Sequence, residues 1–351
     1  MTQNLPEPFQ KRSNLAVKLL PLIMFAVPLL WLYLLEPATF ELMWKGRTFE
    51  LFFIWLTSLE LILGWEEMQP SKIGKFISAR TAALVTTTAL PTLYVAASYY
   101  WGLNGAISNW ATQQGVTWAT SIPLSTEYLA FAAFFGTIVW LSFGFKGLKA
   151  YSVPAFFLIL VGVIYTIDNV YPYGQFTPFQ IFVPTTTALA SLILNLMGYT
   201  TNITYTQIAT EGTMPTLTAM NPTTHAAASF SIAWPCAGIE SFLIFTVVIL
   251  LFLKRMPISL KSKAGYFVFG AAVTYVINAL RIVNIFTAGM VYGENSVQVQ
   301  NIHFYYGPLY AVTWIVSYPL LILVSQAVWR RIRKTKRTAT AEAQLRSLNP
   351  A

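Results

Sequence analysis

Long apolar runs that do not alternate with polar residues recur along this chain, and they settle what it can become, because about 20 helical residues cross a hydrocarbon core. The first, 15–35, follows Lys11 and Arg12 and closes on Glu36 and Pro37. It is too long for a signal-peptide core and lacks a small-residue cleavage site, so it reads as a membrane helix entering from the cytoplasm. Further runs occupy 49–65, 82–103, 127–143, 153–170, 179–197, 237–253, 264–288 and 304–329. Hydrophobic residues make up 56% of the 351 positions and charged ones only 10%, more apolar surface than a soluble core of this length needs. No internal repeat is visible.

The net charge of +9 acquires meaning from its placement. Lys and Arg sit in short connections and tails, as expected of cytoplasmic loops, so nucleic acid is not an expected partner. Lys72, Lys75 and Arg80 mark one inner loop, Lys146 and Lys149 a second, and Lys254, Arg255, Lys261 and Lys263 a third. Arg330, Arg331, Arg333, Lys334, Lys336 and Arg337 begin the last tail. With all four inside, five helices alternate and leave the chain outside at Tyr171. The helix near Ala237 also starts outside, since it ends at Lys254, so only an even number of crossings fits between them. Segment 179–197, interrupted by Pro184, Asn195 and the threonines at 185–187, is therefore expected to lie on or dip into the outer leaflet. A ninth span with inverted ends is the competing reading, because charge bias is a tendency.

The expected fold is all-α: a polytopic integral membrane protein of about eight transmembrane helices, plus one outer-leaflet amphipathic or re-entrant segment and an outer loop. Cytoplasmic tails at 1–13 and 330–351 flank a single membrane domain, 14–329. The outer loop, about 200–235, is rich in Thr and Ala and is expected to hold some extended structure packed over the bundle. Its Asn202-Ile203-Thr204 is a glycosylation sequon of low weight.

Chemistry is sought where polar groups survive at helix ends on one side. Cys236, the only cysteine, rules out an internal disulfide and a cysteine cluster for zinc, and it opens a span at the outer boundary. Arg281 stands roughly 25 Å up a helix rising from Ala264. His303 immediately precedes the last run, descending from outside. A lone cysteine is ordinarily a small buried hydrophobe, and an interfacial arginine or histidine can simply reach water. An arginine within a span nevertheless costs about 2.5–3.5 kcal/mol on insertion scales, which calls for a partner or a task. Together the three have a logic. A nucleophilic thiol needs a base, which His303 can be, and a guanidinium can steady the oxyanion formed when a thiolate attacks a carbonyl.

Pro235-Cys236-Ala237-Gly238-Ile239, then Asn278-Ala279-Leu280-Arg281-Ile282-Val283, then His303 with Gly307 four residues on, resemble the exosortase and archaeosortase family. The resemblance covers mainly 179–329, the sortase-like core; the first five spans match only as hydrophobic bulk. It implies a prokaryotic plasma-membrane cysteine protease-transpeptidase, with its termini inside and its site on the extracytoplasmic face. Such an enzyme cuts the C-terminal sorting signal of exported preproteins, a short motif, a membrane helix and a basic tail. It passes the new C-terminus to an acceptor, with membrane lipid the expected one. On that pattern Cys236 is the nucleophile, His303 the general base and later acid, and Arg281 the oxyanion stabiliser or substrate orienter. Asn278, one turn before Arg281 on the same face, positions it, and Gly238 and Gly307 complete the substrate-binding or supporting set. No cofactor or metal is implied.

Two positions depart from the family pattern: Ala237, where many members have Ser, and Glu240, where a basic residue is frequent. Glu240 lies one turn beyond Cys236 on the same helix face, so it is expected to pair with Arg281 or orient His303. Glu60, Glu127 and Asp168 are costly in lipid and are expected to face the bundle or its boundary, the last two on the side of the site. His225 competes with His303 as base, without a motif behind it. A substrate helix entering from lipid calls for a side opening near the last three spans, with 179–197 as its gate. Two other classes stand beside the enzyme: a transporter whose Arg281 binds an anionic solute, and a transferase of lipid-linked sugars in which Arg281 and Glu127 grip a phosphate.

Overall fold

Apolar runs without β-forming alternation wind into helices because a helix satisfies every backbone polar group within its own segment. The structure is a computed structural model describing residues 7–42, 45–66, 68, 79–171, 181–208 and 212–348. The expected inner-loop residues Lys72 and Lys75, and the first residues of the 179–197 segment, lie outside this set. Two compact units emerge, Met1–Ile181 with Gln207–Met214, and Phe182–Thr206 with Pro215–Ala351.

The first unit holds α1 (Glu7–Leu35), α2 (Thr48–Leu63), α3 (Ala79–Tyr100), the short α4 (Leu103–Gln113), α5 (Ile122–Ala150) and α6 (Ser152–Val170). Phe25 of α1 is its hub: fully buried, it meets Phe53, Phe131 and Phe135 edge-on at centroid distances of 5.3, 5.5 and 5.7 Å. Helices α5 and α6 approach closely at Gly162, where a β-carbon would fall 2.7 Å from Leu129 Cγ. Small residues at such crossings are how helices pack without a hydrophobic force between them.

The second unit holds α7 (Phe182–Leu196), most of strands β1 (Thr200–Ile208) and β2 (Gly212–Met220), strand β3 (Ala227–Ser231), then α8 (Glu240–Arg255), α9 (Leu260–Tyr292), the five-residue α10 (Val297–Asn301) and α11 (Gly307–Leu348). Helices α8, α9 and α11 close around Gly270, whose missing side chain leaves room for Phe245 and Tyr318. The Tyr318 hydroxyl donates to Tyr266 O at 2.6 Å, and Trp314 Nε1 donates to Thr274 Oγ1 at 3.1 Å.

Seven helices among the described residues are long and apolar enough to cross a membrane: Leu15–Leu35, Ala79–Tyr100, Ala119–Ala150, Ser152–Val170, Cys236–Arg255, Leu260–Tyr292 and Val297–Trp329. The run at 49–65, expected as a further span, forms the 16-residue α2, and 179–197 yields the 15-residue α7. At 1.5 Å per residue these helices are about 24 and 22 Å long, short of a hydrocarbon core of about 30 Å.

The outer-loop segment forms more regular structure than its composition suggested, a sheet ordered β1-β2-β3 with β2 and β3 antiparallel. Its inner face is Leu217, Ala219, Ala228 and Phe230, and Phe230 stacks edge-on against Phe286 of α9 at 5.1 Å. The other face carries hydroxyls in register: Thr216 with Ser231 at 2.8 Å and Thr218 with Ser229 at 2.9 Å. Asn202 of the sequon is exposed on β1.

Candidate active site

The chain enters the site from β3 through Trp234, which is buried, and then Pro235 opens a π-helical turn, Pro235–Ile239. Proline suits a first helical position because its missing N–H would have had no partner there. Within the turn Gly238 adopts φ 101°, a left-handed conformation that an L side chain rarely takes. A second π-helical turn, Ile302–Tyr306, precedes α11 and carries His303. Such turns aim a side chain away from the course of a regular helix and recur at functional sites.

Cys236 Sγ stands 3.7 Å from His303 Nε2, and the residue is half-buried. Asn278 and Arg281 lie three residues apart on one face of α9 and reach the two turns separately. Asn278 Nδ2 donates to Cys236 O at 3.1 Å, and Arg281 Nη2 donates to His303 O at 2.8 Å. One helix thus holds the backbone beneath each partner of the thiol–imidazole pair. Two glycines make this possible. A β-carbon on Gly238 would lie 2.8 Å from Asn278 Cγ, and one on Gly307 would lie 2.5 Å from Arg281 Nε. Arg281 Nε and Asn278 Oδ1 are buried and take no hydrogen-bond partner among the described residues, so each retains hydrogen-bonding capacity.

Helix α7 is tied to the same place by its threonines. Thr186 Oγ1 contacts Tyr275 OH at 2.9 Å and reaches toward Ala237 O at 3.5 Å, while Tyr275 OH donates to Thr185 Oγ1 at 2.8 Å. The threonines that interrupt the apolar run in sequence therefore link α7 to α9 and to the cysteine turn.

The seven residues expected to form the site, Cys236, Gly238, Glu240, Asn278, Arg281, His303 and Gly307, lie in the second unit. Cys236, Asn278, Arg281, His303, Gly238 and Gly307 are linked by the contacts above. Glu240 is half-buried one turn beyond the cysteine and forms no ion pair with Arg281 or His303 among the described residues. His225 is exposed in the β2–β3 turn at φ 55°, its amide donating to Asn221 O at 2.9 Å.

Glu127 and Asp168, expected beside the site, are fully buried within the first unit and have partners there. Arg47 grips Glu127 bidentately, Nε to Oε1 at 2.6 Å and Nη2 to Oε2 at 3.1 Å, and extends Nη1 to Glu36 at 2.7 Å. Lys45 pairs with Asp168 at 2.9 Å and lies 3.4 Å from the Trp118 ring centroid. Burial pushes the Lys45 ammonium down from its ordinary range, and Asp168 opposes that shift. Glu60 is also buried, facing the bundle as expected. Sequence reading passed over Arg47 and Lys45, although two cations in a loop placed outside by charge bias are themselves a sign of acidic partners.

A thiol against an imidazole, with a guanidinium behind it and all three on helix turns of a many-spanning chain, is an arrangement that could serve a cysteine nucleophile. The model of the transmembrane exosortase family matches residues 44–323, and the chain belongs to that family. The match runs well ahead of residue 179, so the family likeness includes the early spans and not only the region around Cys236. No curated protein and no solved structure matches the chain. Membership supports a membrane transpeptidase or protease in general terms.

Proposed function

We propose that this chain is a cysteine protease-transpeptidase that cleaves the C-terminal sorting signal of exported preproteins at the extracytoplasmic face. The observation that carries the reading is the 3.7 Å approach of Cys236 Sγ to His303 Nε2. His303 takes the thiol proton as the sulfur attacks the carbonyl before the membrane helix of the signal, and the carbonyl oxygen becomes an oxyanion. Arg281, anchored through Nη2 to His303 O, offers its remaining N–H groups to that oxygen. Collapse breaks the C–N bond, and the leaving amine receives the proton held by His303. A thioester to Cys236 remains. An acceptor hydroxyl or amine, lipid-borne in this reading, gives its proton to His303, attacks the thioester and releases the thiol.

Membership in the exosortase family supports this assignment over the transporter and the sugar transferase. The transferase also loses one of its two proposed phosphate grips, because Glu127 is engaged by Arg47. The α7 threonines support a role for that helix at substrate entry, since its movement would be felt at Ala237. The decisive experiment replaces Cys236 by Ala in the host. Preproteins ending in a short motif, an apolar helix and a basic tail should accumulate at full length, whereas a transporter or glycosyltransferase should tolerate the change.

A further inference from the structure

The strand that leads to the cysteine turn is an edge. In the order β1-β2-β3, β3 pairs on one side only among the described residues. Its alternation is fixed by two contacts: Ile232 N donates to Pro215 O at 2.9 Å on the β2 side, and Ser229 N donates outward to Glu294 Oε1 at 2.6 Å. With a period of two, the amides and carbonyls of Ala227, Ser229 and Ser231 point away from the sheet. Ala227, Ser231 and the Glu294 side chain are exposed. The outward row of donors is therefore open to another chain, and at its centre a carboxylate oxygen occupies the place of a peptide carbonyl.

Ser231 is followed after five residues by Cys236, so the edge ends within about 17 Å of the thiol at full extension. Helical winding has already begun at Ala233, whose carbonyl accepts from Ala237 N at 3.2 Å, which shortens that path. A chain laid along β3 in the same direction arrives at Cys236 after a comparably short segment. Resting on the function proposed above, we infer that the outer edge of β3 receives the preprotein segment preceding the scissile bond as an added parallel strand, delivering its carbonyl to Cys236. Main-chain hydrogen bonds supply the hold, and alternate side chains meet the Thr and Ser face and the α9 side. Glu294 yields Ser229 N to a substrate carbonyl. A charged side chain at an edge also deters unwanted pairing, and the test separates that role from substrate binding.

Cys236 is the only cysteine, so the Cys236→Ala chain is cysteine-free. The probe is a host preprotein with the three-part tail whose maturation stops in the Cys236→Ala strain. S229C is added to the full-length Cys236→Ala enzyme, and single cysteines are walked through the preprotein ahead of its membrane helix. Disulfides should form at alternate positions and fall at least about tenfold between them, the signature of strand pairing. Moving the enzyme cysteine with S231C should shift the pattern by two residues toward the scissile bond, which also serves if S229C fails to fold. Cross-linking that is absent or lacks alternation in both variants overturns the added strand and leaves Cys236-dependent cleavage standing. If no preprotein's maturation depends on Cys236, the proposed function falls, and this inference with it.

Discussion

Arg281 lies across Gly307 so closely that a β-carbon on the glycine would stand 2.5 Å from its Nε. The same β-carbon would meet Ile302 O at 2.7 Å, so neither the arginine nor the backbone can give way without disturbing the His303 turn. Gly307→Ala should leave the enzyme in the membrane at ordinary levels but slow preprotein cleavage by about 100-fold, the scale of a misplacement near 1 Å. Pulse–chase of a tailed preprotein measures it.

Gly238 sets the other half of the site. Its φ of 101° and its contact with Asn278 are two independent reasons for glycine. Gly238→Ala should destabilise the folded protein by about 1–3 kcal/mol and slow cleavage as well, read by unfolding in detergent beside the cleavage assay.

Asn278→Ala removes the donor to Cys236 O, leaving a carbonyl at a partly buried turn without that bond. Loss of such a bond costs about 1–3 kcal/mol. If the amide holds the cysteine turn in place, alkylation of Cys236 by iodoacetamide in isolated membranes should change in rate, while Asn278→Gln only partly restores it.

Arg47 and Glu127 test the fold apart from the chemistry. Each side chain is nearly solvent-free, at 6% and 2% exposure, so removing one leaves the other charge buried. Arg47→Leu should cost about 3–5 kcal/mol. The double substitution Arg47→Leu with Glu127→Leu should recover a large part of that loss, as thermal unfolding in detergent will show.

Much of the site was legible in the residues. Cys236, Arg281 and His303 stand out because a thiol, a guanidinium and an imidazole at helix ends are costly or reactive in a membrane, and Asn278 follows from helical spacing. The π-helical turns were not legible, because a turn's register is decided by what packs against it, here Asn278 against Gly238 and Arg281 against Gly307. The threonines at 185–187 read as a break in an apolar run; the links of Thr185 and Thr186 to Tyr275 depend on a partner helix about 90 residues away in sequence. The sheet did leave a period-two trace, with Leu217 and Ala219 buried between Thr216, Thr218 and Met220, but the run is short and rich in threonine. For Glu127 and Asp168 the sequence offers depth, which puts them on the side of the site, but not the cations that hold them. Their partners Arg47 and Lys45 lie about 80 and 120 residues away in the chain.

The most direct measurement is the fate of the acyl group. Hydroxylamine attacks thioesters, so adding it to membranes containing the enzyme and a tailed preprotein should yield a preprotein fragment ending in a hydroxamate, identified by mass spectrometry of its new C-terminus. With Cys236→Ala no such fragment should form. Hydroxamate or cleaved product appearing at the same rate without the Cys236 thiol would contradict the assignment of this sulfur as the nucleophile.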